Sequence, residues 1–594
     1  MRDMLTRRVR FFLCALALLT SLLTGCQAAP TRSGRASKDW SRGVRVGTAS
    51  LNVPVAMATD EGAQEIHLLW VAEDDQDEQV LRYARLDASG RTAFETRVDA
   101  APVRPSQPGL VRDAHGALHA SWLARDGDIY RLYHALLDDA GQPISGPDPV
   151  SLPGVPVHSY ASIPFPDGGI AVFWGTIEGP GAGMYHARIA GDGAIADASQ
   201  PLGMVGFDPS AARARDGSLH LVWKQIPTSG RQSIHYGVFD EANRAVVGAH
   251  ELAGFGVPTG LVSHRPALGI ASGHAYVFWS LERRGGGLAP PAAESLYLTF
   301  PLGHPEAAGS PREVVIPEDN HPIYRKVSSP YGVSELASPQ GATPSRFVYL
   351  PGAASGEQDQ LATVFAVQLT GRTKSIVQVA LALWADGKMV GYQIAGQTDS
   401  ISLRPSIEAD AAGDLHLNWI DTAGFGKYAI YYAATTEEAR ANLNRLGTDD
   451  VLAALFTVAW GLAQAASFFP IALLWLFPPL VVLALYAFIR AEDGLDRTGP
   501  RIMLVVGALM YIATKYLFRP NWLTALPLPR ETPPGLANAL MYLAPILIVG
   551  IATLATWLFV KRRAYASLLP AFAVFAVSDA VLTLLIYVPG ILAE

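Results

Sequence analysis

The stretch Arg404–Trp419 reads R-P-S-I-E-A-D-A-A-G-D-L-H-L-N-W, and it is one copy of a phrase that recurs along the first three quarters of the chain. Pro108 precedes Trp122 by 14 residues, Pro209 precedes Trp223 by 14, and Pro405 precedes Trp419 by 14. Between each pair lie a turn with Asp and Gly (Asp113/Gly116, Asp216/Gly217, Asp410/Gly413) and then a Leu-His step ending at His119, His220 or His416. Repeats of this length point to a solenoid, a propeller or an array.

Alignment on the aromatic residue of each copy gives Trp70, Trp122, Trp174, Trp223, Trp279, Phe365 and Trp419, with gaps of 52, 52, 49, 56, 86 and 54 residues. The first unit reads as four short strands: 52–59, 66–72, 80–86 and 92–98, the last entered through an Asp-Ala-Ser-Gly turn. Four turn-separated strands per unit of about 50 residues fit a propeller blade. Seven blades are therefore expected. The last copy stops at its third strand, because Thr435–Leu446 has a helical composition, while Gly43–Ser50 is a spare strand at the other end. That N-terminal strand is expected to complete the final blade and leave no open sheet edge.

The units resemble those of sialidase-type β-propellers of bacterial surface proteins, a fold that hosts many functions. They depart from the sialidase Asp-box, which places Trp three residues after its Gly: Trp122 and Trp223 lie six after Gly116 and Gly217. Nor is there an Arg-Ile-Pro segment, so sialidase activity is not expected.

Arg2, Arg7, Arg8 and Arg10 precede an apolar run, Phe11–Leu23, that is short for a membrane span. Leu23-Thr24-Gly25-Cys26 then resembles the lipobox of bacterial lipoproteins, which implies cleavage before Cys26 and acyl chains on it. The expected organisation is a signal peptide over 1–25 and a tether over 26–39, followed by a propeller over 40–440 with an insertion at about 301–344. A linker over 441–450 and a helical membrane domain over 451–594 complete it. Cys14 and Cys26 are the only cysteines, so the body of the protein has no disulfide framework or cysteine metal site. A net charge of −7 with no basic stripe argues against a nucleic-acid partner.

His67, His119, His220 and His416 each stand three residues before a blade Trp. Blade rotation keeps equivalent second-strand positions too far apart to share one ion, so packing and hydrogen bonding within each blade is expected, with no metal or cofactor. The residues just before the aligned prolines (Gln107, Asp208, Arg265 and Arg404) open the innermost strands. With Pro confining each predecessor to extended backbone, they are expected at the channel mouth, where two arginines and an acid can grip a carboxylate, phosphate or sugar. In the insertion, Glu318-Asp319-Asn320-His321 and Tyr324-Arg325-Lys326 are expected on a solvated loop, the alternatives being a cap on the channel, a docking site for a partner or a cation site. No spacing selects a catalytic acid–base pair.

Val451–Ile489 carries no charge, and further spans are expected at 502–518, 536–560 and 566–588. Prolines 470, 478 and 479 interrupt the first stretch. The positive-inside rule favours four spans, with Arg490, Arg497, Arg501 and Lys561–Arg563 cytoplasmic and 451–469 lying in or on the outer leaflet. Lys515 and Asp579 are ionisable residues within the spans, and an ion pair between two helices is expected. The functional expectation is an extracytoplasmic binding or scaffolding lipoprotein, held in the bilayer, whose partner is a protein, a glycan or an envelope component. The rivals are a carbohydrate-active enzyme of the envelope and a subunit of a membrane transport or assembly complex.

Overall fold

The computed structural model describes Ser33 and residues 39–592, except 61–64, 99–103, 178, 180, 227–230, 258–260, 284–291, 319–323, 327–334, 338–342, 346–347, 354–359, 371–374, 399, 425, 449, 453–467, 491–492, 519–533 and 564. Cys26, Asp319–His321 and the greater part of 451–469 therefore lie outside the described residues. Two compact units are present, one spanning 29–445 apart from 371–374 and one containing 446–594.

The first unit is a seven-bladed β-propeller. Blade 1 is Ala56–Thr59, Glu65–Glu73, Gln79–Asp87 and Thr92–Arg97, within a few residues of the sequence reading. Blades 2, 3 and 4 repeat this antiparallel meander. In each, the first strand is innermost: Ser106–Arg112, Ser159–Pro164 and Phe207–Arg213. Blade 5 splits its inner strand into Leu261–Ser263 and Ala267–Ala271. Blade 6 begins at Val348–Ala353 and blade 7 at Ser402–Ala409. Neighbouring inner strands touch all the way round, blade 7 against blade 1 included, so the ring is closed.

Closure works as the spare strand requires. Val44–Ala49 pairs antiparallel with Tyr428–Ala434 and becomes the outer strand of blade 7. The clasp is reinforced on both sides. The Trp40 indole N–H donates to Gln393 Oε1 at 3.0 Å and its ring is fully buried against blades 6 and 7. Helix α1 (Glu437–Leu443) starts at a Thr436 cap and buries Leu443 against blade 1. Just past it, the Asn444 amide bonds the backbone of both Trp40 and Arg42. Packing on the ring starts early: Ser33 N donates to Gly43 O, and Asp39 accepts from Gln393.

The seven aligned aromatics all fall on second strands, and each is buried to within 1 %. They interleave with apolar residues of the adjoining blade, so each contributes a large apolar area to a seam. The histidines three residues earlier bond inside their own blades, and His67 Nε2 also meets Arg112 Nη1 of blade 2 at 3.1 Å. Nδ1 of His67, His220 and His416 meets the hydroxyl of Tyr83, Tyr236 and Tyr432 at 2.7, 2.6 and 2.8 Å. In blade 2 His134 takes the Tyr place, 3.0 Å from His119. Burial, with Arg112 beside the ring, lowers His67 to about 4, so it stays neutral.

The insertion departs from the expected loop. Tyr324–Lys326 pairs with Glu335–Ala337, which joins blade 6 beyond its Lys388–Ile394 strand and widens that sheet to six strands. These two strands lie at the blade's outer edge, where an edge strand with free backbone groups lets extra strands add.

The second unit contains helices α2 (Phe469–Arg490), α3 (Thr498–Leu517), α4 (Pro534–Lys561) and α5 (Leu568–Leu592), all four long and apolar enough to cross a membrane. Pro470 sits in the first turn of α2, where its missing N–H costs nothing. Pro478 and Pro479, expected as interruptions, lie inside α2 without ending it. Such prolines are tolerated where neighbouring groups re-satisfy the freed backbone. Trp475, Tyr511, Ile548 and Phe572 form its core.

Candidate functional site

Three of the four residues before the aligned prolines are not extended, and the expectation from Pro is corrected for them. Gln107, Asp208 and Arg404 have φ of +46°, +53° and +50°. In each case the ladder slips one residue, between Ser106 and Gly109, between Phe207 and Ser210, and between Leu403 and Ser406. Each is thus the αL residue of a β-bulge, a conformation that costs a non-Gly residue about 1–3 kcal/mol. The bulge turns the side chain out of the pleat at the inner end of its blade. Proline forbids the ordinary helical alternative to its predecessor, and the slipped register supplies this one.

Three of the four residues come together, across blades 2 to 5. Asp208 is 6 % exposed, and its Oδ2 lies 2.7 Å from Lys224 Nζ, itself 2 % exposed. The same ammonium donates to Ser263 O at 3.0 Å and His264 O at 3.3 Å, and stands 5.0 Å over the Phe207 ring. The other oxygen of Asp208 faces His158 Nε2 at 3.6 Å, and its backbone N–H donates to Ser159 Oγ. Burial pushes the Asp208 carboxyl up, but the Lys224 charge and hydrogen bond override it and hold the group below the usual carboxylate range.

Arg265 follows on the next blade. Its Nη1 donates to Tyr160 O at 2.7 Å, and its side chain remains accessible although protein surrounds it. Burial lowers its pKa, while Asp208 and Tyr160 raise it. Tyr160 Oη is 2.7 Å from the carbonyls of both Gln107 and Ser121, which it reaches over Gly109. A Cβ there would stand 2.7 Å from that hydroxyl, so the close approach requires glycine. Gln107 Nε2 closes the chain of contacts on His158 O at 3.4 Å. Beside Arg265, His264 Nε2 meets Glu282 at 2.7 Å. Arg404 is elsewhere: its Nε donates to Asn52 Oδ1 at the seam of blades 7 and 1.

The geometry can hold an anion. Around the single Asp208 carboxylate stand two permanent cations and one imidazole, all fixed by bulges, carbonyls and ring contacts. Lys224, His158 and Tyr160 were not singled out from the sequence. Lys224 carried a signal, as a charged residue immediately after a blade Trp in an otherwise apolar strand. A second missed residue is Glu408, on the inner strand of blade 7, whose carboxyl is bonded by the Thr59 backbone and pushed up to about 8 by burial. Among the described residues no cluster of His, Cys, Asp or Glu suits a metal.

In the helical unit, Lys515 Nζ meets Asp579 Oδ2 at 2.6 Å and Thr583 Oγ1 at 2.6 Å, and the Tyr511 hydroxyl donates to the same Asp579 oxygen at 3.1 Å. Asp579 is fully buried, so the pair joins α3 to α5. It presents no line of further charges along either helix.

No family model matches the chain, and no curated protein matches its sequence. Solved structures similar to it include an ulvan lyase of polysaccharide lyase family PL25 (8 % identity, 71 % of this chain and 100 % of that one, TM-score 0.40). They also include the Hadza microbial sialidase Hz136 (12 %, 61 % and 74 %, TM-score 0.34). An exo-β-1,3-galactanase from Clostridium thermocellum is a third (12 %, 68 % and 96 %, TM-score 0.31). These likenesses are too distant to carry an activity across, and the fold stands on the strand pairing itself: seven blades in a closed ring, followed by four apolar helices.

Proposed function

We propose that this protein is an extracytoplasmic binding module, held to the membrane by acyl chains on Cys26 and by its helices. It recognises an anionic group of a glycan, protein or envelope component at the inner ends of blades 3 to 5. One observation carries the reading: a single buried carboxylate, Asp208, is set among Lys224, Arg265 and His158, and Arg265 stays accessible with one N–H on the Tyr160 carbonyl. A cation fixed in that way has donors left for a carboxylate, sulfate or phosphate oxygen. The test is binding of purified full-length protein to an array of uronate-bearing and neutral oligosaccharides. Uronate-bearing members should be preferred, and Arg265→Ala should weaken them about 10- to 100-fold, as the loss of one charged hydrogen bond of 1.5–3 kcal/mol requires. Equal binding by the variant, or no preference for charge, refutes the reading.

The enzyme reading has one observation in its favour. Glu408 is partly buried on the inner strand of blade 7, and burial pushes its carboxyl up to about 8, the direction a general acid needs. It predicts cleavage of an envelope polysaccharide that is lost in Glu408→Gln.

A further inference from the structure

The helical unit knits two of its connections together. Gly494 pairs with Ser567 in an isolated bridge, Leu495 N donates to Ala566 O at 2.9 Å, and Leu568 N donates to Asp493 O at 2.7 Å. Residues 493–495, between α2 and α3, are thereby fixed against 566–568, between α4 and α5. Six exposed cations converge at this end of the unit: Arg490, Arg497, Arg501, Lys561, Arg562 and Arg563. Among the described residues of the same segments the acids are Asp493 and Asp496.

Helix electrostatics explain two of these six cations. Arg490 and Lys561 end α2 and α4, where the negative end of a helix dipole favours them. Arg497 and Arg501 are placed the other way. Arg497 is the residue at the N-cap of α3 and makes no capping bond with its side chain, and Arg501 lies in the first turn, which has no acid. The first turn of α5, alongside, has no acid either. Two positive helix ends and several positive side chains thus share one surface, an arrangement that an external anion relieves. Aromatic rings mark the depth of that surface. Lys561 Nζ lies 4.8 Å over Trp557, Arg563 Cζ lies 4.4 Å over Phe559, and Tyr565 is 95 % exposed. Rings of this kind at the end of an apolar helix belong at the headgroup level of a bilayer.

We infer that the joined α2–α3 and α4–α5 connections form a binding site for the phosphate of an anionic phospholipid. The inference rests on the helices spanning the membrane. The lipid phosphate would sit against Arg501, Arg562 and Arg563, with its acyl chains along the exposed apolar face of α4. A phosphate there gains charge-assisted hydrogen bonds and offsets the unmatched dipole ends.

The experiment uses the full-length protein in nanodiscs of phosphatidylcholine containing a minor fraction of phosphatidylglycerol, followed by release into the gas phase for native mass spectrometry. Wild type should retain phosphatidylglycerol over phosphatidylcholine. Arg501→Gln/Arg562→Gln/Arg563→Gln should lose that preference, at about fivefold per charge removed. Because Arg501 Nε also bonds Leu495 O, the double variant Arg562→Gln/Arg563→Gln, which leaves that bond intact, should show an intermediate loss. Unchanged preference in both variants overturns the site. So does inorganic phosphate competing as strongly as phosphatidylglycerol, which makes it a site for the free ion. Alkaline carbonate extraction is run in parallel: release of the protein from membranes would refute the spanning helices, separately from the lipid site.

Discussion

Replacing Lys224 by Met tests the core of the channel-side cluster. The substitution preserves the length and apolar stem but removes the ammonium that is 2.7 Å from Asp208 Oδ2 and bonded to the Ser263 and His264 carbonyls. Asp208 and Lys224 are both almost fully buried, so the carboxylate is left in low dielectric with His158 at 3.6 Å as its nearest compensation. Breaking one side of a buried pair costs about 3–5 kcal/mol. Asp208→Asn/Lys224→Met removes both charges and should recover the larger part of that, to within about 1–2 kcal/mol of wild type, so the cycle reports coupling and not packing. Urea unfolding of the full-length protein in detergent, followed by the fluorescence of the blade tryptophans, gives each value. The pH dependence supplies a second sign. In wild type the Asp208 carboxyl is held below its ordinary value, so its contribution is complete above about pH 4 and is lost as pH falls through the lower folded value. In the variant burial acts without Lys224, which raises the carboxyl. Its penalty then grows as pH rises from the ordinary value through the raised one. The stability difference between the two proteins should therefore be larger at pH 7 than at pH 4, where only the wild-type contribution separates them. A difference under about 1 kcal/mol at pH 7, or one independent of pH, refutes the assignment of a buried, charge-dependent pair.

Glu408→Gln should flatten a slope of the opposite kind. With a folded value of about 8, wild type loses stability as pH rises from about 4.5 to 8, by at most about 5 kcal/mol and by about 2 after partial hydration. The variant should match wild type at pH 5 and exceed it at pH 8.5 in the same urea titration; parallel curves would mean the carboxyl is ordinary. Trp40→Ala empties a fully buried site and removes the bond to Gln393, so the ring clasp should lose about 3–5 kcal/mol. A change under about 1 kcal/mol in thermal unfolding would show that Val44–Ala49 closes the ring without it.

The sequence determined the architecture because a blade is a local object. The interval from Pro405 to Trp419 spans two strands and one turn, and each repeat of it specifies the same meander whatever its neighbours do. The same holds for the helical spans, where length and apolarity suffice, and for the spare strand at 43–50, whose partner followed from counting. The site was legible only in part. The residues before proline marked the inner ends of strands. Which of them meet depends on the order of blades around the axis, and that placed Gln107, Asp208 and Arg265 in one set of contacts and Arg404 in another. The positive φ of Gln107, Asp208 and Arg404 depends on a register slip that no neighbour in sequence imposes. Lys224 became a partner of Asp208 only when the first and second strands of blade 4 came side by side, with the carbonyls of blade 5 against them. The bridge from Gly494 to Ser567 is of the same kind. Contacts between residues far apart in the chain are set by closure and packing, which local pattern does not encode.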